Sequence, residues 1–268
     1  MPGLGAAYTV IPFCDLCLTV CSSDRELLIR RGVSPSKLRV HFNGVDRRAV
    51  EPAERGRLRI ALREEWGRAC RAGPLDGFLI GVVGRLAVEK QHRRILSALS
   101  FFAARFPDER FRLLCFGSGP LEGELKALSA RLPIADRVHW LGYRKDASAE
   151  MAGLDVLLSL SNAEGLPINL IEAGWSGTPV VAHGVDGIRD LIEHGVSGIL
   201  LEPPASDAQV AEVLRRLSQD PPAAEALGLR LQERVRRSFS GSVWISRLLE
   251  LYEDAARTRA SGPNRRPS

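Results

Sequence analysis

FLIGVVGRLAVEKQHRRILSALSFFAARFPDERFRLLCFG, residues 78–117, holds one complete strand, helix and strand. The run FLIGVVG is short, apolar and closed by glycine, as suits a strand buried on both faces. Ile95, Leu99, Phe102 and Phe106 then recur every three or four residues, the spacing of one helical face, and RLLCFG opens the next strand. Moving outward, VHWLG (138–142), VLLSLS (156–161), PVVAH (179–183) and GILLEP (198–203) are further strand candidates, and Leu121, Leu125, Leu128 and Leu132 predict a helix after the second strand. Strands alternating with helices predict an α/β fold, a Rossmann-like parallel sheet with helices on both faces. Ligands of such sheets sit beyond the carboxyl ends of the strands, so the loops leaving those ends are where chemistry is sought.

This unit is assigned to residues 77–237. Before it, residues 1–46 offer only LCLTVCS (16–22), a helix over 23–31 and LRVHFN (38–43). Two strands and one helix cannot close a core, so the segment either packs on the larger domain or is the trailing edge of another one. Its unpaired strand edges are expected to promote self-association. Residues 47–76 are charge-rich and read as a helix plus linker. After Pro221 two amphipathic helices follow, the second over 238–257, and the polar, basic residues 258–268 read as a disordered tail.

The net charge is +5, but lysine occurs only at 37, 90, 126 and 145, and the many arginines are dispersed among 32 acids. That dispersal argues against a nucleic-acid partner and leaves an anionic small molecule open. Cys14, Cys17 and Cys21 lack a fourth ligand at metal spacing, and Leu16, Leu18 and Val20 between them ask for burial, so reduced core thiols are expected. Asp15 breaks the apolar run near the amino terminus and no basic leader or cleavage site flanks it. No secretory signal is therefore expected, and the protein is placed in the cytoplasm, with a peripheral position at the inner membrane face left open.

The strongest chemical signal is NAEGLPINLIEAGWSGTPVV (162–181), where Glu164 and Glu172 enclose seven residues across a strand-to-helix junction. Pro167 suits an early helix position, where its missing N–H is harmless. The amides of Gly165, Leu166 and Ile168 would then point outward at the positive end of the helix dipole, an anion site that suits a diphosphate. The two carboxylates could stand up to roughly 12 Å apart and grip hydroxyls on either side of it. Arg85 and Lys90 leave the carboxyl end of the FLIGVVG strand and could neutralise a departing diphosphate. Taken by spacing alone, Glu172 could equally be a helix-surface charge, Glu164 a solvated loop residue and the two cations an ordinary basic loop.

Together these residues resemble the GT-B glycosyltransferases of family four, retaining enzymes that use activated sugars. The resemblance runs in order from about residue 14 to 255 through HFNGVD, GRLAVEK, FGSGPLEGEL, VHWLGY, EGLPINLIEA, GTPVVA and GVSGILLEP. It implies that Arg85 and Lys90 contact the donor diphosphate and act in catalysis, and that Glu164 binds hydroxyls of the transferred sugar. Gly165 and Leu166 would present backbone amides to the phosphate and sugar, Glu172 would hold the ribose, and Gly84 and Pro167 would complete the donor site. A UDP- or GDP-sugar is the implied donor, no metal or other cofactor is expected, and the acceptor is an unspecified glycan, lipid or small molecule.

The chain departs from the family pattern at Gln91, where members often carry glycine, and at Asp190, where they often carry glutamate. A GT-B enzyme also has a first, acceptor-binding Rossmann-like domain, of which residues 1–46 resemble only the last strand, helix and strand. The sequence thus predicts either a truncated transferase or a nucleotide-sugar-binding module without catalysis. Two other readings fail on spacing: in FGSGPLEG the third glycine of a dinucleotide fingerprint is replaced by Glu122, and no P-loop pattern occurs. His41, His92, His139, His183 and His194 are scattered without ligand spacing and read as structural or surface residues, although His92 beside Lys90 could approach a phosphate.

Overall fold

In the computed structural model, which describes residues 11–261 apart from 71, 72 and 74, the six strand candidates from residue 78 onward all form. They are β3 (Phe78–Val83), β4 (Phe111–Phe116), β5 (Val138–Gly142), β6 (Val156–Ser159), β7 (Val180–His183) and β8 (Ile199–Leu201). Every neighbouring pair is parallel, in the order β5-β4-β3-β6-β7-β8. The helices between them are α3 (His92–Arg105), α4 (Glu122–Ser129), α5 (Ala147–Met151), α6 (Ile168–Trp175) and α7 (Ile188–Leu191). The chain finishes through α8 (Asp207–Gln219), α9 (Pro221–Ser238) and α10 (Gly241–Ser261). Ahead of the sheet come β1 (Cys17–Thr19), α1 (Ser22–Arg30), β2 (Leu38–Val40) and the 18-residue α2 (Pro52–Ala69).

Alternation along each strand sorts the apolar residues into two layers, as the period of two requires. Ile80, Val82, Leu113, Cys115, Val156, Leu158 and Val181 pack with Ile95, Leu99 and Phe102 of α3 and Val210 and Leu214 of α8. On the opposite face Leu79, Leu114, Phe116, Leu157, Val180 and Ala182 meet Trp66 of α2, Leu170 and Ile171 of α6, and Leu231 and Val235 of α9. Burial of each large side chain stabilises the fold by about 1.5–3 kcal/mol, and Phe42 and Val45 of the amino-terminal segment pack against the second layer. Asp155 ties α2 to the start of the sheet, accepting from the Leu79 amide and from Arg63, each at 2.7 Å, and pairing with Arg59.

Some predicted boundaries move. Phe106 caps α3 rather than lying inside it, and α4 stops at Ser129, leaving Leu132 in the following turn. The residues expected to be disordered from Thr258 begin differently: α10 continues through Ser261, and residues 262–268 lie outside the described residues.

The larger correction concerns the amino-terminal segment. β1 and β2 form a separate two-stranded parallel sheet over a small core of Ile11, Leu28 and Leu38. Cys21 is buried, but Cys14 and Cys17 are only half-buried, and Leu18 and Val20, expected in a core, remain 42% and 37% exposed. Leu18 faces α10 across a cavity of about 490 Å³ lined also by Leu16, Leu248, Leu251 and Tyr252, whereas Val20 lies against Gly165. The segment is nonetheless fastened to the larger domain. The Ser22 amide donates to Asp190 at 2.7 Å, Val45 donates to the Phe239 carbonyl at 3.0 Å, and the Trp175 indole donates to the Val45 carbonyl at 2.7 Å.

Candidate functional site

The strand order reverses direction between β3 and β6, and in an open parallel sheet the crevice beyond that switch point is where a ligand is held. The loops leaving those two strands carry the predicted residues. The β3 loop supplies Gly84, Arg85 and, on a 3₁₀ turn spanning Val88–Lys90, Lys90; the β6 loop supplies Glu164, Gly165, Leu166 and Pro167. Residues 74 apart in sequence meet here, because the Lys90 ammonium is ion-paired with the Glu164 carboxylate. The pair is largely enclosed, with side chains 21% and 11% exposed. Arg85 is exposed and makes no ion pair among the described residues.

α6 begins at Ile168, and Pro167 is its N-cap in an extended conformation (φ −74°, ψ 119°) rather than an early helical residue. Proline there offers no side-chain cap, so the helix end stays unsatisfied from within. Among the described residues the amides of Gly165, Leu166 and Ile168 have no acceptor. Asn169 Nδ2 donates to the Val83 carbonyl at 2.6 Å and locks this terminus to the end of β3. Asn43 Nδ2 donates to the Leu166 carbonyl at 2.8 Å, so the HFNGVD segment buttresses the loop from the amino-terminal side.

Glu172, one turn into α6, accepts from Arg47 through Nε at 3.1 Å and Nη2 at 2.7 Å, and its side chain is 15% exposed. The structure thus brings together Gly84, Lys90, Glu164, Gly165, Leu166 and Pro167, leaves Arg85 exposed next to Gly84 in the β3 loop, and gives Glu172 a partner of its own. Asn43, Arg47 and Asn169 escaped the sequence reading as site residues. Asn43 and Asn169 stood inside quoted motifs, but what each holds depends on contacts more than 80 residues distant.

The remaining candidates resolve into structural roles. Gly117 follows β4 at φ 134°, and a Cβ there would stand 1.9 Å from the Gly84 carbonyl oxygen, so close packing of the β3 and β4 loops accounts for this glycine without a dinucleotide. Gln91 takes the left-handed conformation (φ 55°, ψ 36°), which glycine adopts without strain. His92 is buried in the first turn of α3, and burial, reinforced by Lys90, pushes its pKa down to about 4. It lines a cavity of about 150 Å³ with Leu121, Glu124 and Leu125, and among the described residues neither ring nitrogen has a hydrogen-bond partner. His183 is fully buried, its pKa lowered chiefly by burial, and its Nε2 accepts from the Ala205 amide at 3.3 Å. Among the described residues no group of three or more His, Cys, Asp or Glu side chains could hold a metal ion, and no helix is long and apolar enough to cross a membrane.

Residues 71–234 match the family described as glycosyl transferases group 1. The 2-deoxystreptamine glucosyltransferase of Streptomyces kanamyceticus is 35% identical over 178 residues, which are 66% of this chain and 43% of that one. The D-inositol 3-phosphate glycosyltransferase of Stackebrandtia nassauensis is 30% identical over 271 residues, covering 97% of this chain and 58% of its own. Among solved structures, Anabaena HepE in complex with UDP and glucose superposes with a TM-score of 0.80 at 23% identity, over 94% of this chain and 66% of that one. The chain thus spans about half the length of the curated relatives it matches. This parallel sheet flanked by helices is the α/β architecture of the GT-B glycosyltransferases. The chain belongs to the glycosyl transferases group 1 family.

Proposed function

We propose that residues 77–237 bind a nucleotide sugar, UDP- or GDP-linked, in the crevice between the β3 and β6 loops, and that the protein serves a retaining glycosyl transfer. The observation that carries this is the meeting of Lys90 and Glu164 across the switch point, beside three amides without acceptors at the start of α6. A diphosphate entering there draws on Arg85, Lys90 and the helix terminus, and Glu164 turns from its lysine partner to the hydroxyls of the sugar. As the bond to the anomeric carbon breaks, the departing diphosphate gathers negative charge facing those cations and amides. The acceptor hydroxyl attacks the same face and its proton passes to the leaving oxygen. Glu172, steered by Arg47, is suited to the ribose. Two side-chain cations and a helix terminus supply the charge stabilisation, so donor binding should not depend on a divalent metal. HepE, whose fold is shared, was captured with UDP and glucose, in keeping with such a ligand. The acceptor is a glycan, a lipid or a small molecule, and the proposed setting is the cytoplasm, including the inner membrane face.

Calorimetry in EDTA tests the reading. The chain should take up UDP or GDP, more weakly as salt rises. Arg85→Ala and Lys90→Ala should each remove most of that affinity, a loss of about 1.5–3 kcal/mol for a charge-assisted contact. Arg93→Ala and Arg94→Ala should change little, since Arg93 pairs with Glu124 and Arg94 donates to the Ala205 carbonyl. Equal losses at all four positions would indicate a diffuse basic surface instead of a pocket, and absence of heat from folded protein would remove the proposal.

A further inference from the structure

The β6 loop is also held from the far side, by the turn between β7 and α7. Its anchor is Asp186, which with Gln91 makes up the non-glycine residues at positive φ among the described residues. At φ 40° an L-residue is strained where glycine would be at ease, and such a conformation persists only when surrounding contacts hold it. The contact here is visible: Asp186 Oδ2 accepts the backbone amide of Glu164 at 3.0 Å. The turn is pressed against the same loop one residue later, because a Cβ on Gly187 would lie 2.0 Å from the Gly165 carbonyl oxygen and 2.7 Å from Cys21 Cβ. Asp190, four residues on, accepts the Ser22 amide at 2.7 Å. Residues 186–190 are therefore a clamp between the β6 loop and the amino-terminal segment.

We infer that Asp186 is a positioning residue for Glu164. By taking the Glu164 amide it orients the first peptide of the loop, which turns the Glu164 carboxylate toward Lys90. The same bond removes one amide from the site, so the donors left facing an anion are those of Gly165, Leu166 and Ile168. Asp186 does this without touching the ligand, and its strained backbone is the cost of putting a carboxylate where glycine would sit more easily. The inference rests on the donor-site reading of Glu164.

Replacement at 186 separates the possibilities because strain and positioning push in opposite directions. Asp186→Gly relaxes the backbone but deletes the acceptor, while Asp186→Asn keeps an acceptor oxygen in a residue that tolerates the left-handed region. The probes are UDP with UDP-glucose, or GDP with GDP-mannose, whichever pair the wild-type chain binds. Asp186→Gly should melt at or above the wild-type temperature and exchange its Glu164 amide faster. Its affinity for the nucleotide sugar should fall about tenfold, and for the bare diphosphate by less than about twofold, as expected when one hydrogen bond that aims a single side chain is lost. Asp186→Asn should stay within about threefold of wild type for both ligands. Unchanged nucleotide-sugar affinity in Asp186→Gly overturns the inference and leaves the donor site standing. So does an equal loss of both ligands with a lowered melting temperature, the mark of a merely structural role. If the wild-type chain binds neither ligand pair, the donor-site reading fails and the inference falls with it.

Discussion

Two parallel sheets lie in this chain, and they are finished to different degrees. In the six-stranded sheet the inward residues of β3 are sealed, with Leu79 and Ile80 at 0% exposure under helices on both faces. In the two-stranded sheet Leu18 of β1 is 42% exposed, and α10 opposite carries Ile245, Leu249 and Tyr252 open to solvent at helical spacing. Both have strand, helix and strand in sequence, so local pattern does not separate them. What separates them is the number of neighbours that cover each face, and a parallel sheet needs both faces covered. The donor loops grow from the finished sheet, although Asn43 buttresses the β6 loop from the amino-terminal side.

The sharpest way to break that contrast is to measure transfer. Holding donor and acceptor in register can supply roughly 7–11 kcal/mol of barrier lowering, and the small sheet is only two strands over a core of Ile11, Leu28 and Leu38. The 268-residue chain should bind donor yet transfer sugar negligibly, and fusion to an amino-terminal Rossmann-like domain should bring transfer back. Robust retaining transfer by the purified chain, assayed with donor and a panel of lipid, sugar and small-molecule acceptors, would show that the small sheet suffices.

Stability should divide along the same line. Phe102→Ala opens the sealed layer between α3 and the sheet and should cost about 3–5 kcal/mol in denaturant unfolding. Ile245→Ser with Leu249→Ser, on the open side of α10, should each change stability by no more than about 0.5 kcal/mol. The same pair should reduce self-association in sedimentation if that surface joins copies of the chain. Comparable destabilisation at both places would mean that the small sheet is as integral as the large one.

The finest contrast lies inside the donor site. Glu172→Ala should weaken nucleoside diphosphate and nucleotide sugar alike by about 1.5–3 kcal/mol, the worth of a charge-assisted hydrogen bond. Glu164→Ala should spare the diphosphate and penalise only the sugar-bearing ligand. Paired titrations of the two variants check this, and equal loss of the diphosphate in both would merge the roles assigned to them.

All six strands of the larger sheet were legible, because sealed parallel strands are written as short apolar runs and covering helices as three-to-four-residue repeats. The site loops were legible as motifs for a related reason: glycine, proline, lysine and paired glutamates mark a strand-to-helix junction by their own stereochemistry. The burial expected for Leu18 and Val20 was misplaced, since apolar character states a preference for cover and does not say whether a neighbour provides it. For the same reason the sequence left open whether His92 approaches a phosphate. Its position beside Lys90 in sequence says nothing of the side of α3 on which the imidazole is buried.

Residue types and their spacing by themselves determined the parallel α/β class, the strand and helix positions, the loops that carry Arg85, Lys90 and Glu164 and the helix that carries Glu172, because these follow from local stereochemistry and periodic burial. Only the tertiary structure decided that β3 lies beside β6, that Lys90 meets Glu164, that Arg47 claims Glu172, and that Asp186 reaches the Glu164 amide. Each joins residues between 22 and 125 positions apart. Such contacts are set by how layers stack around a common core, and that choice is made by the whole chain at once.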